Sequence, residues 1–143
     1  MSELIAPVTH TAVIAAATTW EAFPQLWPVL LAEVWAAVRS RPGVAANRNV
    51  MLYRDDLPTV EVGVEVAERF APLGRVVPGM LPSGRVVTAT HVGSYGGLAA
   101  THEAIVAWCE RRALRRAGPR WEIYGHWNED AAAQQVEVSY LLR

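Results

Sequence analysis

The sequence predicts an α+β fold. Two pseudo-symmetric β-α-β-β units in tandem form one antiparallel sheet, with two helices on one face. Three observations predict it. The same order of strand, helix, strand and strand signals occurs twice, offset by about half the chain. Thr59 to Val66, TVEVGVEV, alternates without a break, the period of a half-buried strand. Each unit also holds one run with helical spacing between clear stops.

The first unit covers about residues 8–70. Thr9 to Ala17, THTAVIAAA, is a small-residue, β-tolerant run and reads as a strand. Thr18 with Glu21 three residues on is a capping-box pattern that marks a helix start. Pro24 falls near the first turn, where proline costs little, whereas Pro28 should bend the helix or delay its start. Trp27, Leu31, Val34 and Val38 then share one helical face, widened by Leu30 and Trp35. Arg41-Pro42-Gly43 stops the helix. Asn49 to Arg54 is the next strand, and Asp55 to Pro58 is its turn. In the last strand Val60, Val62, Val64 and Val66 take one face, and Glu61, Gly63 and Glu65 the other.

Residues 71–83, rich in proline and glycine, connect the units. The second unit covers about 84–143. Gly84 to Val92 is a strand, broken by Gly93-Ser94-Tyr95-Gly96-Gly97. Leu98 to Arg116 is a helix with Leu98, Ile105, Cys109 and Arg112 on one face, and Gly118-Pro119 ends it. Arg120 to Trp127 and Gln135 to Leu142 are strands around a turn. Leu52-Tyr53 corresponds to Ile123-Tyr124, and Trp20 and Tyr95 both stand at strand-to-helix junctions, which supports duplication inside a single domain, 1–143. Six main strands result, with one sheet face under the helices and the other facing water. Pseudo-twofold pairing sets the helices side by side, and a groove between paired helices is a natural small-molecule site.

The composition narrows the function classes. The 143 residues carry 52% hydrophobic side chains and a formal charge of −1. Nucleic-acid binders show a basic excess or stripe. The one basic cluster, Arg111, Arg112, Arg115 and Arg116, reads as a solvated last helical turn that complements the helix dipole. No nucleic-acid partner is expected. No apolar run approaches the ~20 residues of a membrane helix, so no membrane partner is expected. The single cysteine, Cys109, leaves no internal disulfide and no cysteine-based zinc site, and a cytoplasmic setting is the expectation.

No nucleophile elbow, phosphate-binding loop or dinucleotide fingerprint occurs. His10, His91, His102 and His126 are dispersed and lack metal-ligand spacing, so no metal or cofactor is expected. His102-Glu103 reads as a wet helix edge, and Cys109 as an inert buried thiol.

With these elements in order, the chain resembles the GyrI-like family, the effector-binding domain also attached to some MerR-type and AraC-type regulators. The resemblance rests on the repeated element order and on two segments. His91-Val92-Gly93-Ser94-Tyr95 is similar to the family's H-x-G-P-Y entry to the second helix, with Ser94 at the proline position. Trp121-Glu122-Ile123-Tyr124 resembles its aromatic-Glu-aliphatic-Tyr strand. No helix-turn-helix signal flanks the domain, so a stand-alone version is expected. The resemblance implies a groove that binds hydrophobic, often aromatic and cationic compounds, with the strand glutamate at its floor. Some family members are hydrolases that open strained cyclopropanes, and a minority act on protein partners.

The glutamate is therefore the residue to place. Alternation sets Glu122, Tyr124 and His126 on one strand face and Trp121, Ile123, Gly125 and Trp127 on the other. If the Glu122 face looks toward the helices, its carboxylate is desolvated, so either its pKa rises or it takes hydrogen bonds from tyrosine hydroxyls, and a lipophilic cation would supply the missing counter-charge. Aromatic rings around it would add cation–π attraction of ~0.5–2 kcal/mol each. The candidate ligand-binding residues are Glu122, Tyr124, Tyr95, Tyr53, Trp20, Trp27 and Trp35. Binding of a hydrophobic aromatic small molecule is the first reading. Hydrolysis of an electrophilic cyclopropane, with Glu122 and Tyr95 as catalytic residues, is the second. A protein-interaction or inhibitor module is the third.

Overall fold

In the computed structural model, which describes residues 1–143, eight strands form one antiparallel sheet and two helices cover one face. The first unit runs β1 (Ser2–Ala6), β2 (Thr9–Ala17), α1 (Phe23–Arg39), β3 (Ala46–Tyr53) and β4 (Thr59–Val66). The second runs β5 (Val77–Leu81), β6 (Gly84–Val92), α2 (Leu98–Arg111), β7 (Arg116–Tyr124) and β8 (Gln135–Leu142), with a 3-10 turn at Tyr95–Gly97 before its helix.

The strand order is β1-β6-β8-β7-β3-β4-β2-β5, which reads the same from both ends when the units are exchanged. The β3–β7 pair at its centre is the seam between them. Two edge strands, β1 and β5, add to the six expected. Each precedes the first strand of its own unit but pairs with the other unit: β1 with β6, and β5 with β2. The connector predicted at 71–83 is thus partly strand.

That exchange dictates the sheet's shape. β5 lies at one edge and β6 next to the opposite edge, yet only Pro82 and Ser83 separate them in sequence. The sheet must curl for so short a link to span its flanks. Leu81, Val86 and Trp121 accordingly pack in one cluster with Val13, Val50 and Leu52 on the face away from the helices. The expectation that this face meets water is corrected: curling gives it an apolar core of its own.

On the other face the alternation of β4 buries Val60, Val62, Val64 and Val66 against Leu30, Val34 and Val38 of α1. Ile105 and Cys109 of α2 pack on Val87, Val136, Val138 and Leu142. Each such apolar side chain contributes about 1.5–3 kcal/mol. Gly63 is required where β4 passes β2. A Cβ there would lie 1.8 Å from the Ala12 carbonyl oxygen and 2.9 Å from Val13 Cα.

Local details differ from the sequence reading. The α1 entry is held by Thr19, whose Oγ1 accepts from Ala22 N–H at 3.1 Å, and not by a Thr18 capping box. Pro28 neither delays nor breaks α1, which begins at Phe23. Its missing N–H falls within the second turn, where only one intrahelical bond is forfeited. α2 ends at Arg111, short of Arg116. Ala113 adopts φ 53°, and Leu114 N–H bonds back to the Cys109 carbonyl at 2.9 Å. The four arginines therefore do not form one helical turn; Arg116 already starts β7. Gly118-Pro119 lies inside β7, where the register shifts between Arg116 and Arg120 and Gly118 takes φ 119°.

Candidate functional site

The helix-facing clusters under α1 and α2 are separate, and half-buried Tyr124 packs against both. Between them opens a cavity of about 500 Å³. α1 contributes Phe23, Trp27 and Leu31. The β3–β7 seam contributes Asn49, Met51, Tyr53, Glu122 and Tyr124. The α2 side contributes Tyr95 and Leu98, and Trp127 stands in the loop after β7. The site is concave and mostly apolar with a few polar groups, the usual character of a small-molecule pocket.

Glu122 sits on the seam, opposite Met51 in β3 and Val138 in β8, so its side chain rises on the helix face. It is only 4% exposed. Three groups hold it. Tyr53 and Tyr124 donate their hydroxyls to Oε1 at 2.8 and 2.9 Å. His102 Nε2 lies 2.7 Å from Oε2. On its other edge, His102 Nδ1 lies 2.7 Å from the Tyr140 hydroxyl. A carboxylate is an acceptor, so the consistent arrangement of a neutral imidazole has Nε2–H donating to Glu122 and Nδ1 accepting from Tyr140. No arginine pairs with Glu122; its one ionic partner is His102.

The tyrosines stay protonated as donors. Burial first, and then the neighbouring Glu122 carboxylate, push the Tyr53 and Tyr124 hydroxyls well above the ordinary phenol range. Burial also raises Tyr140, opposed by the Arg120 and Arg116 guanidinium groups. Phenolate beside a buried carboxylate would place two anions together, and the network avoids it.

The candidate residues divide by position. Glu122, Tyr53, Tyr95, Tyr124 and Trp27 line the cavity. Tyr95 meets Tyr124 edge-on at 5.5 Å and donates to Gln134 Oε1 at 3.3 Å. Its hydroxyl is thus engaged away from Glu122. Trp20 and Trp35 do not line the cavity. Trp20 packs on the Tyr53 ring at 5.7 Å and donates its indole N–H to the Asp56 carbonyl at 2.9 Å. Trp35 donates to Asn49 Oδ1 at 2.8 Å. Each instead braces a residue that does face the cavity.

His102, Tyr140 and Trp127 are the additions. Assigning His102 to a wet edge is corrected by its bond to Glu122. The signal was present: Leu98, His102, Ile105 and Cys109 are spaced four, three and four residues apart, one continuous helical stripe. Tyr140 follows Val136 and Val138 on the helix face of β8. Strand alternation sets Trp127 on the opposite face, but β7 ends at Tyr124 and Trp127 lines the cavity from the loop beyond it.

A curled antiparallel sheet with two helices flanking an aromatic cavity over its seam defines a small-molecule-binding domain. The chain belongs to the GyrI-like small-molecule-binding domain family, whose sequence profile matches residues 54–139. The fold is similar to the EcmrR C-terminal domain, at TM-score 0.81 and 19% identity, covering 99% of this chain and 96% of that one. It is similar to SAV2435 bound to tetraphenylphosphonium, at TM-score 0.72 and 11% identity, covering 99% and 93%. A hydrolase from Listeria innocua gives TM-score 0.63 and 12% identity, covering 99% and 91%. No curated protein matches the chain in sequence. No helix is long and apolar enough to cross a membrane.

Proposed function

We propose that the chain binds hydrophobic, cationic aromatic small molecules in the cavity between α1 and α2, for capture or sensing. The observation that carries this reading is a buried carboxylate at the floor of an aromatic cavity, held by hydroxyl and imidazole donors and paired with no arginine. Such a group is a fixed negative charge, preorganised before any ligand arrives. A lipophilic cation supplies a mobile counter-charge without needing directional bonds. The rings of Tyr53, Tyr95, Tyr124 and Trp27 accept flat or propeller-shaped aryl groups, each able to add about 0.5–2 kcal/mol with a cation. SAV2435, which shares the fold, has been captured with a lipophilic aryl cation.

The test compares two arylphosphorus probes, tetraphenylphosphonium and neutral triphenylphosphine oxide, by tryptophan fluorescence. Wild type should bind the cation more tightly. Glu122→Gln should weaken the cation at least about tenfold and leave the neutral probe within about twofold, because one desolvated charge pair is removed. Equal losses for both probes would remove the charge argument.

A second reading is hydrolysis of an electrophilic strained ring by the same carboxylate. Tyr95 favours it, since its hydroxyl borders the cavity and could turn from Gln134 toward a carbonyl gaining charge. Against it, three of the roughly four acceptor positions of Glu122 are already filled, leaving little room to activate water. Mass spectrometry of a cyclopropane-bearing electrophile after incubation separates the two readings. An intact compound supports binding alone, and a water adduct supports hydrolysis.

A further inference from the structure

We propose that His102 is a specificity-determining residue of the cavity: neutral, it leaves Glu122 as net negative charge for a cationic ligand, and protonated, it cancels that charge so that the cavity favours neutral aromatic ligands. The proposal rests on the reading of the cavity as a cation site.

The geometry makes His102 an internal rival of the ligand cation. Its Nε2 lies 2.7 Å from Oε2 of Glu122, inside ion-pair range, yet it does not line the cavity. It approaches the carboxylate from behind, out of α2. One carboxylate therefore has two faces, one toward the ligand space and one toward the imidazole.

Tyr140 makes both charge states of His102 available. With a neutral ring, the Tyr140 hydroxyl donates to Nδ1; with a protonated ring, Nδ1–H donates to the same oxygen, and the hydroxyl hydrogen rotates away. No heavy atom has to move and no hydrogen bond to the ring is lost. A backbone N–H at that position would have locked the ring neutral, and Tyr140 does not. Burial and the nearby glutamate keep Tyr140 itself protonated against the pull of Arg116 and Arg120.

Protons reach His102 without crossing the ligand space. Its side chain is 20% exposed and borders an open recess with Glu103, Val106, Glu110 and Tyr140, none of which lines the ligand cavity. The charged and titratable groups around it are thus Glu122 from β7, Tyr140 from β8, and Glu103 and Glu110 on its own helix. Tyr53 and Tyr124 lie beyond Glu122, and Arg116 and Arg120 act through Tyr140. Histidine is the side-chain type whose charge changes between about pH 5 and 8, which sets the range over which the proposal is tested.

The test measures both arylphosphorus probes between about pH 5 and pH 8 on wild type, His102→Gln and Glu122→Gln. A glutamine at 102 can still donate to Glu122 but cannot become charged. In wild type, tetraphenylphosphonium should weaken about tenfold or more toward low pH while triphenylphosphine oxide holds within about twofold. His102→Gln should flatten the cation profile and hold affinity at low pH near its high-pH value. His91, bonded to Thr101 and Ser94, and exposed His126 remain in that variant, so a slope due to either would persist.

Linkage gives a second readout. A cation that prefers the neutral imidazole must expel protons on binding, and calorimetry near neutral pH in buffers of different ionisation enthalpy should register the release in wild type and lose it in His102→Gln. A cation-to-neutral affinity ratio that ignores pH in wild type overturns the proposal. So does a slope that survives in His102→Gln. If Glu122→Gln weakens both probes equally at high pH, the cation-site reading itself falls and the proposal with it; a Glu122→Gln that weakens the cation alone, beside an unaltered His102→Gln profile, sinks the role of His102 alone.

Discussion

Met51 and Glu122 face each other in register across the β3–β7 seam, where the pseudo-twofold relation between the units is broken. Their neighbours obey the symmetry: Tyr53 and Tyr124, each two residues on, turn their hydroxyls to the same oxygen of the one carboxylate. The pseudo-twofold relation thus supplies a pair of tyrosines, and a single acid at the shared position gives both a common acceptor.

The tyrosines should consequently be interchangeable in their effect on stability. Tyr53→Phe and Tyr124→Phe each remove one hydrogen bond to a buried charge, and each should cost about 1.5–3 kcal/mol in urea unfolding at neutral pH. Combining them strips Oε1 of both donors. The double variant should lose more than the sum of the single losses, because residues sharing one acceptor are coupled. Simple additivity would show that Glu122 does not tie the two halves together.

Alkaline titration tests the protonation of the network. Tyr53, Tyr124 and Tyr140 have hydroxyls raised above the ordinary phenol value by burial and by Glu122. The folded state therefore holds protons that the unfolded chain releases above about pH 10, so stability is fully present below that value and falls as pH rises beyond it. Phenolate absorbance near 295 nm should appear together with unfolding and not before it for these three. In Tyr53→Phe and Tyr124→Phe the fall in stability with pH should be shallower.

Much of this architecture is legible in the sequence because it rests on local periods. The alternation of Val60, Val62, Val64 and Val66 and the stripe Leu30, Val34 and Val38 depend on backbone geometry alone. The edge strands were not legible. Ser2–Ala6 and Val77–Leu81 are short, the first is followed by Pro7 and the second contains Pro78, and their pairing with the opposite unit is a long-range event. The α2 terminus was misread because Ala113, not a glycine, takes the left-handed conformation. Glu122 draws notice through its aromatic neighbours, and only the resemblance of Trp121-Glu122-Ile123-Tyr124 to the family strand implies its place at a pocket floor. Its partner His102 draws no such notice, since the bond joins a helix to a strand and only the stripe on α2 hints at it.

Gly63 offers a test of the curled sheet that is independent of the site. The position tolerates no Cβ, because the nearest atoms are the Ala12 and Val13 backbone and cannot rotate aside. Gly63→Ala should therefore cost more than an ordinary overpacking change, about 3 kcal/mol or more, and lower the thermal midpoint accordingly. An unaltered midpoint would mean that β2 and β4 do not approach so closely.

Trp127 separates ligand binding from folding. It is 75% exposed, yet it borders the cavity mouth beside Gly125. An indole so open contributes little to stability, so Trp127→Ala should shift unfolding by no more than about 0.5 kcal/mol. A ligand entering between Tyr95 and Trp27 would cover it, and its removal should weaken tetraphenylphosphonium by about threefold to thirtyfold, the value of one aromatic face on a cation. Its fluorescence, with that of Trp27, should be the part of the tryptophan signal most altered by binding, because Trp121 is buried on the opposite face and Trp20 and Trp35 are held by hydrogen bonds away from the cavity. If Trp127→Ala leaves both the affinity and the ligand-induced change in emission intact, the ligand does not enter by this mouth, and the occupied space lies elsewhere along the seam.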